Sequence, residues 1–200
     1  MNNPIGALPA EFENTHEGVK ILGFWVFLAT DVMLFASLFA VYVVYRSRVA
    51  LGPTPAQIFR LGPVLAETLI LLTSSFTVSL SLYAARTSHL KAAIAWLVVT
   101  LVLGATFVSL EIHEFVTDVL AGHTWHQSAF LSSFFTLVGT HGSHVTFGIG
   151  WAILLTLELA FRGLTVANRR KLFSFALYWH FLDIVWIFLF SVVYLAGVMT

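Results

Sequence analysis

Apolar residues in this chain come in five long runs, not at amphipathic or alternating spacing. They cover roughly residues 21–45, 63–85, 92–116, 129–161 and 172–198. A helix rises about 1.5 Å per residue, so each run can cross about 30 Å of hydrocarbon. The pattern predicts an all-α integral membrane bundle of five transmembrane helices, preceded by a polar segment over 1–20. The fourth run is overlong and is expected to tilt or to extend past the bilayer. Gly52-Pro53-Thr54-Pro55 marks the first connector as non-helical. No internal repeat is visible.

Composition supports the membrane reading. The chain is 58 % hydrophobic and 10 % charged, against about 25 % charged for a soluble domain. Formal net charge is zero, so nothing attracts nucleic acid in bulk. Cysteine is absent, which excludes disulfides, thiolate metal sites and cysteine nucleophiles within this chain. Residues 1–20 lack a basic leading region, so no cleavable signal peptide is expected.

Basic residues set the orientation. Lys20, Arg86, Lys91, Arg162, Arg169, Arg170 and Lys171 fall on one side, and Arg46, Arg48 and Arg60 on the other. The N-terminus is therefore expected to be cytoplasmic and the C-terminus outside. Trp25, Trp96, Trp125 and Trp179 fall near span ends, where an interfacial belt would form.

Ionisable residues interrupt the runs. Asp31, His141, His144, His180 and Asp183 are placed near mid-membrane by the helical rise. His180 and Asp183, three residues apart, share a helical face. Glu67, Glu111 and Glu114 gather toward the outer ends of the second and third runs, where such carboxylates are commonly solvated. His16, His89, His123 and His126 lie in polar segments. Groups at membrane depth are expected to face protein or a water-filled cavity and to find partners.

Three readings of the mid-membrane group stand side by side. The first is structural, with hydrogen bonds joining helices and Gly139, Gly142, Ser143, Thr146 and Gly150 allowing close approach. The second is a metal or haem site, for which His141 and His180 form the pair and His141-x-x-His144 shares a face. The third is proton handling, because relays are built from Asp, Glu and His.

Several stretches together resemble a known family. They are Tyr178-Trp179-His180-Phe181-Leu182-Asp183-Ile184-Val185-Trp186, Gly139-Thr140-His141-Gly142-Ser143-His144-Val145, Leu22-Gly23-Phe24-Trp25 with Asp31-Val32-Met33-Leu34-Phe35, and Glu111-Ile112-His113-Glu114-Phe115. The chain resembles subunit III of haem–copper terminal oxidases in its five-helix bacterial form, most like that of bo-type quinol oxidases. The alternative donor is cytochrome c. A haem-bearing membrane cytochrome and an autonomous transporter are more distant rivals.

The resemblance implies a non-catalytic subunit of an oxygen-reducing, proton-translocating complex in the bacterial cell membrane. No catalytic residue, metal or redox cofactor is expected in this chain; haems and copper would lie in subunit I, its direct partner. Subunits II and IV complete the implied complex. Asp31, Glu67, Glu111, His141, His144, His180 and Asp183 are the candidates for buried polar support of proton uptake. Asp31 matches the family's intramembrane carboxylate on this helix. Bound phospholipid is also implied, with Asp31, Arg162, Trp179 and Trp186 as candidates. Longer relatives carry two additional N-terminal helices, so a neighbouring subunit is expected to complete any lipid cleft.

Overall fold

The computed structural model describes residues 15–46, 61–120, 122, 126 and 128–199. The proposed segment 1–20, most of the first connector, His123 and Trp125 lie largely or wholly outside that set. The described residues form α1 (Thr15–Tyr45), α2 (Leu61–Arg86), α3 (Leu90–Leu120), α4 (Ala129–Arg162) and α5 (Val166–Leu189). The chain then runs through a π-helical segment, Phe190–Leu195, into a short α6 (Ala196–Met199). Among the described residues there is no strand, and five helices are long and apolar enough to cross a membrane.

Local chemistry explains the ends. Ser128 caps α4 by accepting a hydrogen bond from Leu131 N–H at 3.2 Å. Thr165 caps α5 by accepting from Asn168 N–H at 3.1 Å, and the buried Asn168 amide donates to Gly163 O at 2.9 Å. These contacts start α5 six residues before the apolar run. Arg169, Arg170 and Lys171 thus belong to the helix and not to the connector that sequence places them in.

Between α2 and α3 the chain turns at Ser88, which has φ 64°. Ser88 N–H donates to Ala85 O and His89 N–H to Ala84 O. This is the αL C-terminal turn usually occupied by glycine. The Ser88 hydroxyl accepts from Arg169 Nη2 at 3.1 Å, so this turn touches the start of α5.

α2, α3, α4 and α5 close a four-helix ring, and α1 rests on α4 and α5. Two tryptophans on α5, seven residues apart and on one face, fill the ring in layers. In the first layer, Trp179 Nε1–H donates to Ser74 Oγ on α2 at 2.9 Å. Its ring occupies the space over Gly104 of α3 and Gly148 of α4, where a methyl group would come within 2.9 Å. In the second, Trp186 Nε1–H donates to Thr68 Oγ1 at 3.0 Å. Its ring meets Phe107 of α3 edge-on at 4.7 Å and the His141 ring of α4 at 5.2 Å. Each indole joins three neighbouring helices while its N–H stays bonded, as burial in hydrocarbon requires.

This packing corrects two expectations. Trp179 is not part of an interfacial belt: it and Trp186 are each 1 % exposed, so neither offers its ring to acyl chains. Trp25 and Trp96 are exposed. The second concerns the small residues. Close approach runs through Gly104, Gly142 and Gly148, whereas Ser143, Thr146 and Gly150 are exposed and Gly150 has no neighbour within 4 Å.

Candidate functional site

The motif on α5 addresses every other span. Tyr178 Oη–H donates to His144 O on α4 at 2.9 Å, and the Tyr178 ring stacks on Phe27 of α1. Phe181 packs edge-on against Phe35 of α1. Trp179 and Trp186 reach α2, α3 and α4 as described. His180 turns to α2, with Nδ1 2.8 Å from Ser75 Oγ and Nε2 3.1 Å from Ser79 Oγ. Ser75 also lies beside the buried Asp183 carboxyl. The shared face of His180 and Asp183 is thus used by one α2 hydroxyl.

Asp31 points to α4. Its carboxylate Oδ1 lies 3.9 Å from His144 Nε2, and His144 Nδ1 lies 2.8 Å from Thr140 O. The Nδ1 contact to a carbonyl marks Nδ1 as the donor, so Nε2 faces Asp31. His141, one turn away on the same helix, is 0 % exposed. Rings of Phe35, Phe107 and Trp186 surround it.

Glu67 and Glu111 are 2 % and 5 % exposed, so they are core residues and not the solvated span-end carboxylates their sequence positions suggest. Glu67, Glu111 and Glu114 lie within electrostatic reach of one another. Tyr194, in the π-helical segment, is buried beside the same carboxylates. The Glu111 carboxylate rests on Gly142, where a methyl group would stand 2.7 Å from both oxygens. A glycine there is what allows a carboxylate between α3 and α4.

The mid-membrane layer therefore divides. Asp31 and His144 form one pair, His180 and Asp183 a second group with α2 serines, and Glu67, Glu111 and Glu114 a third. His141 stands between the first and third, and its ring is not turned toward a histidine partner on α5. Ser75 and Ser79 join the site only through the fold. The signal for them is weak: α2 is unusually rich in hydroxyls, with Thr68, Thr73, Ser74, Ser75, Thr77, Ser79 and Ser81 in one apolar run. Arg162 lies on the surface at the end of α4, near Glu158, which Lys171 contacts at 2.6 Å. Among the described residues no three His, Asp or Glu side chains converge as a metal-binding group.

Fold and site together define a multi-pass helical membrane protein that buries a divided layer of acids and imidazoles. Residues 10–198 match the family described as cytochrome c oxidase subunit III. The chain is 46 % identical over 189 residues to quinol oxidase subunit 3 of Bacillus spizizenii, covering 94 % of this chain and 93 % of that protein. It is 48 % identical over 189 residues to cytochrome bo(3) ubiquinol oxidase subunit 3 of Pseudomonas aeruginosa, covering 94 % and 90 %. Similarity extends to cytochrome c oxidase subunit 3 of a Bacillus species, 46 % identical over 178 residues, covering 89 % and 86 %. The chain belongs to the cytochrome c oxidase subunit III family.

Proposed function

We propose that this chain is the accessory subunit III of a proton-pumping haem–copper terminal oxidase in the bacterial cell membrane, with quinol as the electron donor. The observation that carries the proposal is the family match over residues 10–198, together with an α5 motif that turns inward to bind its own bundle. Quinol is favoured over cytochrome c by the names of the relatives from Bacillus spizizenii and Pseudomonas aeruginosa. Haems and copper belong to subunit I, which packs directly on this chain, with subunits II and IV in the same complex.

In this reading Asp31, Glu67, Glu111, His141, His144, His180 and Asp183 hold the bundle in the shape that subunit I needs, and so support its proton uptake. Asp31 and Arg162 remain candidates for contact with bound phospholipid, the latter as a surface cation. The basic residues around Ser88, Arg162 and Arg169 face the cytoplasm.

The test is affinity purification of the tagged chain from its host in mild detergent. A haem-containing partner, an oxidase optical spectrum and quinol-driven oxygen consumption are expected. Deleting the chain should reduce oxidase stability or turnover lifetime. Purification without any haem protein, with no effect of deletion, would overturn the proposal; a preference for reduced cytochrome c would overturn the donor alone.

A further inference from the structure

Buried side-chain polar atoms without a protein hydrogen-bond partner gather around the middle of α4. Five such atoms belong to four residues: Asp31 Oδ2, both ring nitrogens of His141, Glu111 Oε1 and Glu67 Oε2. These four residues lie in a row across the bundle. Asp31 meets His144, and His144 and His141 are close enough to interact electrostatically. Glu111 rests on Gly142, the residue next to His141, and Glu67 lies within reach of Glu111. Elsewhere in the core Asp183 Oδ1 on α5 is a further such atom, while other polar groups are joined to protein: Trp179 to Ser74, Trp186 to Thr68, Thr77 to Thr100, Ser81 to Ala93 O.

A buried imidazole with neither nitrogen bonded is costly in hydrocarbon surroundings, and so is a carboxyl oxygen. Such groups are usually satisfied by internal water, which makes two to four hydrogen bonds to polar atoms that protein leaves unpaired. The row supplies both donors and acceptors: imidazole offers one of each, and carboxyl oxygens accept. Packing alone would have placed an apolar ring at position 141, among Phe35, Phe107 and Trp186.

We infer that His141 is the centre of an internal hydration site that links the Asp31–His144 pair to the Glu111–Glu67 group by bound water. The ligand is water, and the arrangement lets protons exchange between mid-membrane Asp31 and the carboxylates packed between α2, α3 and α4. This goes beyond the role proposed for the complex and does not depend on which donor it uses.

Hydroxyl-radical footprinting tests it, applied to the complex in which the chain is purified and read by mass spectrometry. Radiolysis of bound water labels the side chains beside it. Trp186 and Trp179 are equally buried and provide an internal comparison. Trp186 and Phe107, next to His141, should be labelled; Trp179, wedged against Gly104 and Gly148, should not. His141→Phe should abolish labelling at both positions while Trp179 is unchanged. Glu111→Gln keeps the size of the side chain and serves if the first variant fails to assemble; it should weaken labelling at Phe107 and Trp186. Equal labelling of Trp186 and Trp179 in the native protein, or labelling that survives both substitutions, would overturn the inference.

Discussion

Gly104 of α3 lies directly beneath the indole of Trp179: a methyl group at this glycine would stand 2.9 Å from Cη2 and 3.0 Å from Cζ2. The ring cannot retreat, because its N–H is held by Ser74 and its other edge meets Gly148. Gly104→Ala should therefore destabilise the bundle by about 1–3 kcal/mol through overpacking, outweighing the helix propensity gained. Gly150→Ala is the control. With nothing within 4 Å, it should stabilise by up to about 1 kcal/mol. Midpoints of detergent-induced unfolding of the purified complex measure both, and equal signs would contradict the packing.

The Ser74–Trp179 hydrogen bond should be separable from the packing of the ring. Ser74→Ala leaves the indole N–H unpaired, whereas Trp179→Phe removes the donor and also creates a cavity. A double-mutant cycle should give a coupling of about 0.6 to 1.7 kcal/mol, the range for hydrogen bonds between membrane helices. A coupling of zero would mean that the bond contributes nothing beyond its geometry.

Ser75 binds His180 and sits beside Asp183, so its loss should exceed that of an ordinary helix hydroxyl. Ser75→Ala should cost about 1–3 kcal/mol, because His180 Nδ1 loses its partner and the buried Asp183 carboxyl loses the hydroxyl beside it. Ser79→Ala, at a more exposed site bonded only to the other ring nitrogen and to Ser75 O, should cost less. Unfolding midpoints of the two variants give the order directly.

Asp31→Ala should leave the complex assembled, since its contact to His144 is long at 3.9 Å and α1 is also held by Phe27, Phe35 and Tyr42. Activity should decay faster during turnover, and less phospholipid should be retained per complex. Phosphorus analysis and the time course of oxygen consumption report these two effects. If both match the native protein, Asp31 acts only in packing.

Much of the architecture was legible because hydrocarbon is a strict solvent. It demands helices of a minimum length and almost no unpaired polar groups, and these are local properties of a run of residues. The shared face of His180 and Asp183 was legible for the same reason, being a matter of helical spacing. Sequence misplaces Trp179 because nearness to a span end does not reveal whether a side chain points to lipid or to the ring's interior. Ser143, Thr146 and Gly150 resemble a packing seam in sequence because small residues look alike on either face. The π-helical segment at Phe190–Leu195 had no sequence signal that we can identify.

The sequence by itself determined that this is a five-span membrane protein with acids and imidazoles inside it, and its motifs named the family. Only the tertiary structure decided that Asp31 meets His144, that Ser75 serves both His180 and Asp183, and that Gly104, Gly142 and Gly148 are the points of closest approach. Those pairings depend on how each helix is rotated about its axis and how deeply it sits against its neighbours. A rotation of one residue turns a side chain by about 100°, so they arise from the mutual fit of the five helices and not from any one of them.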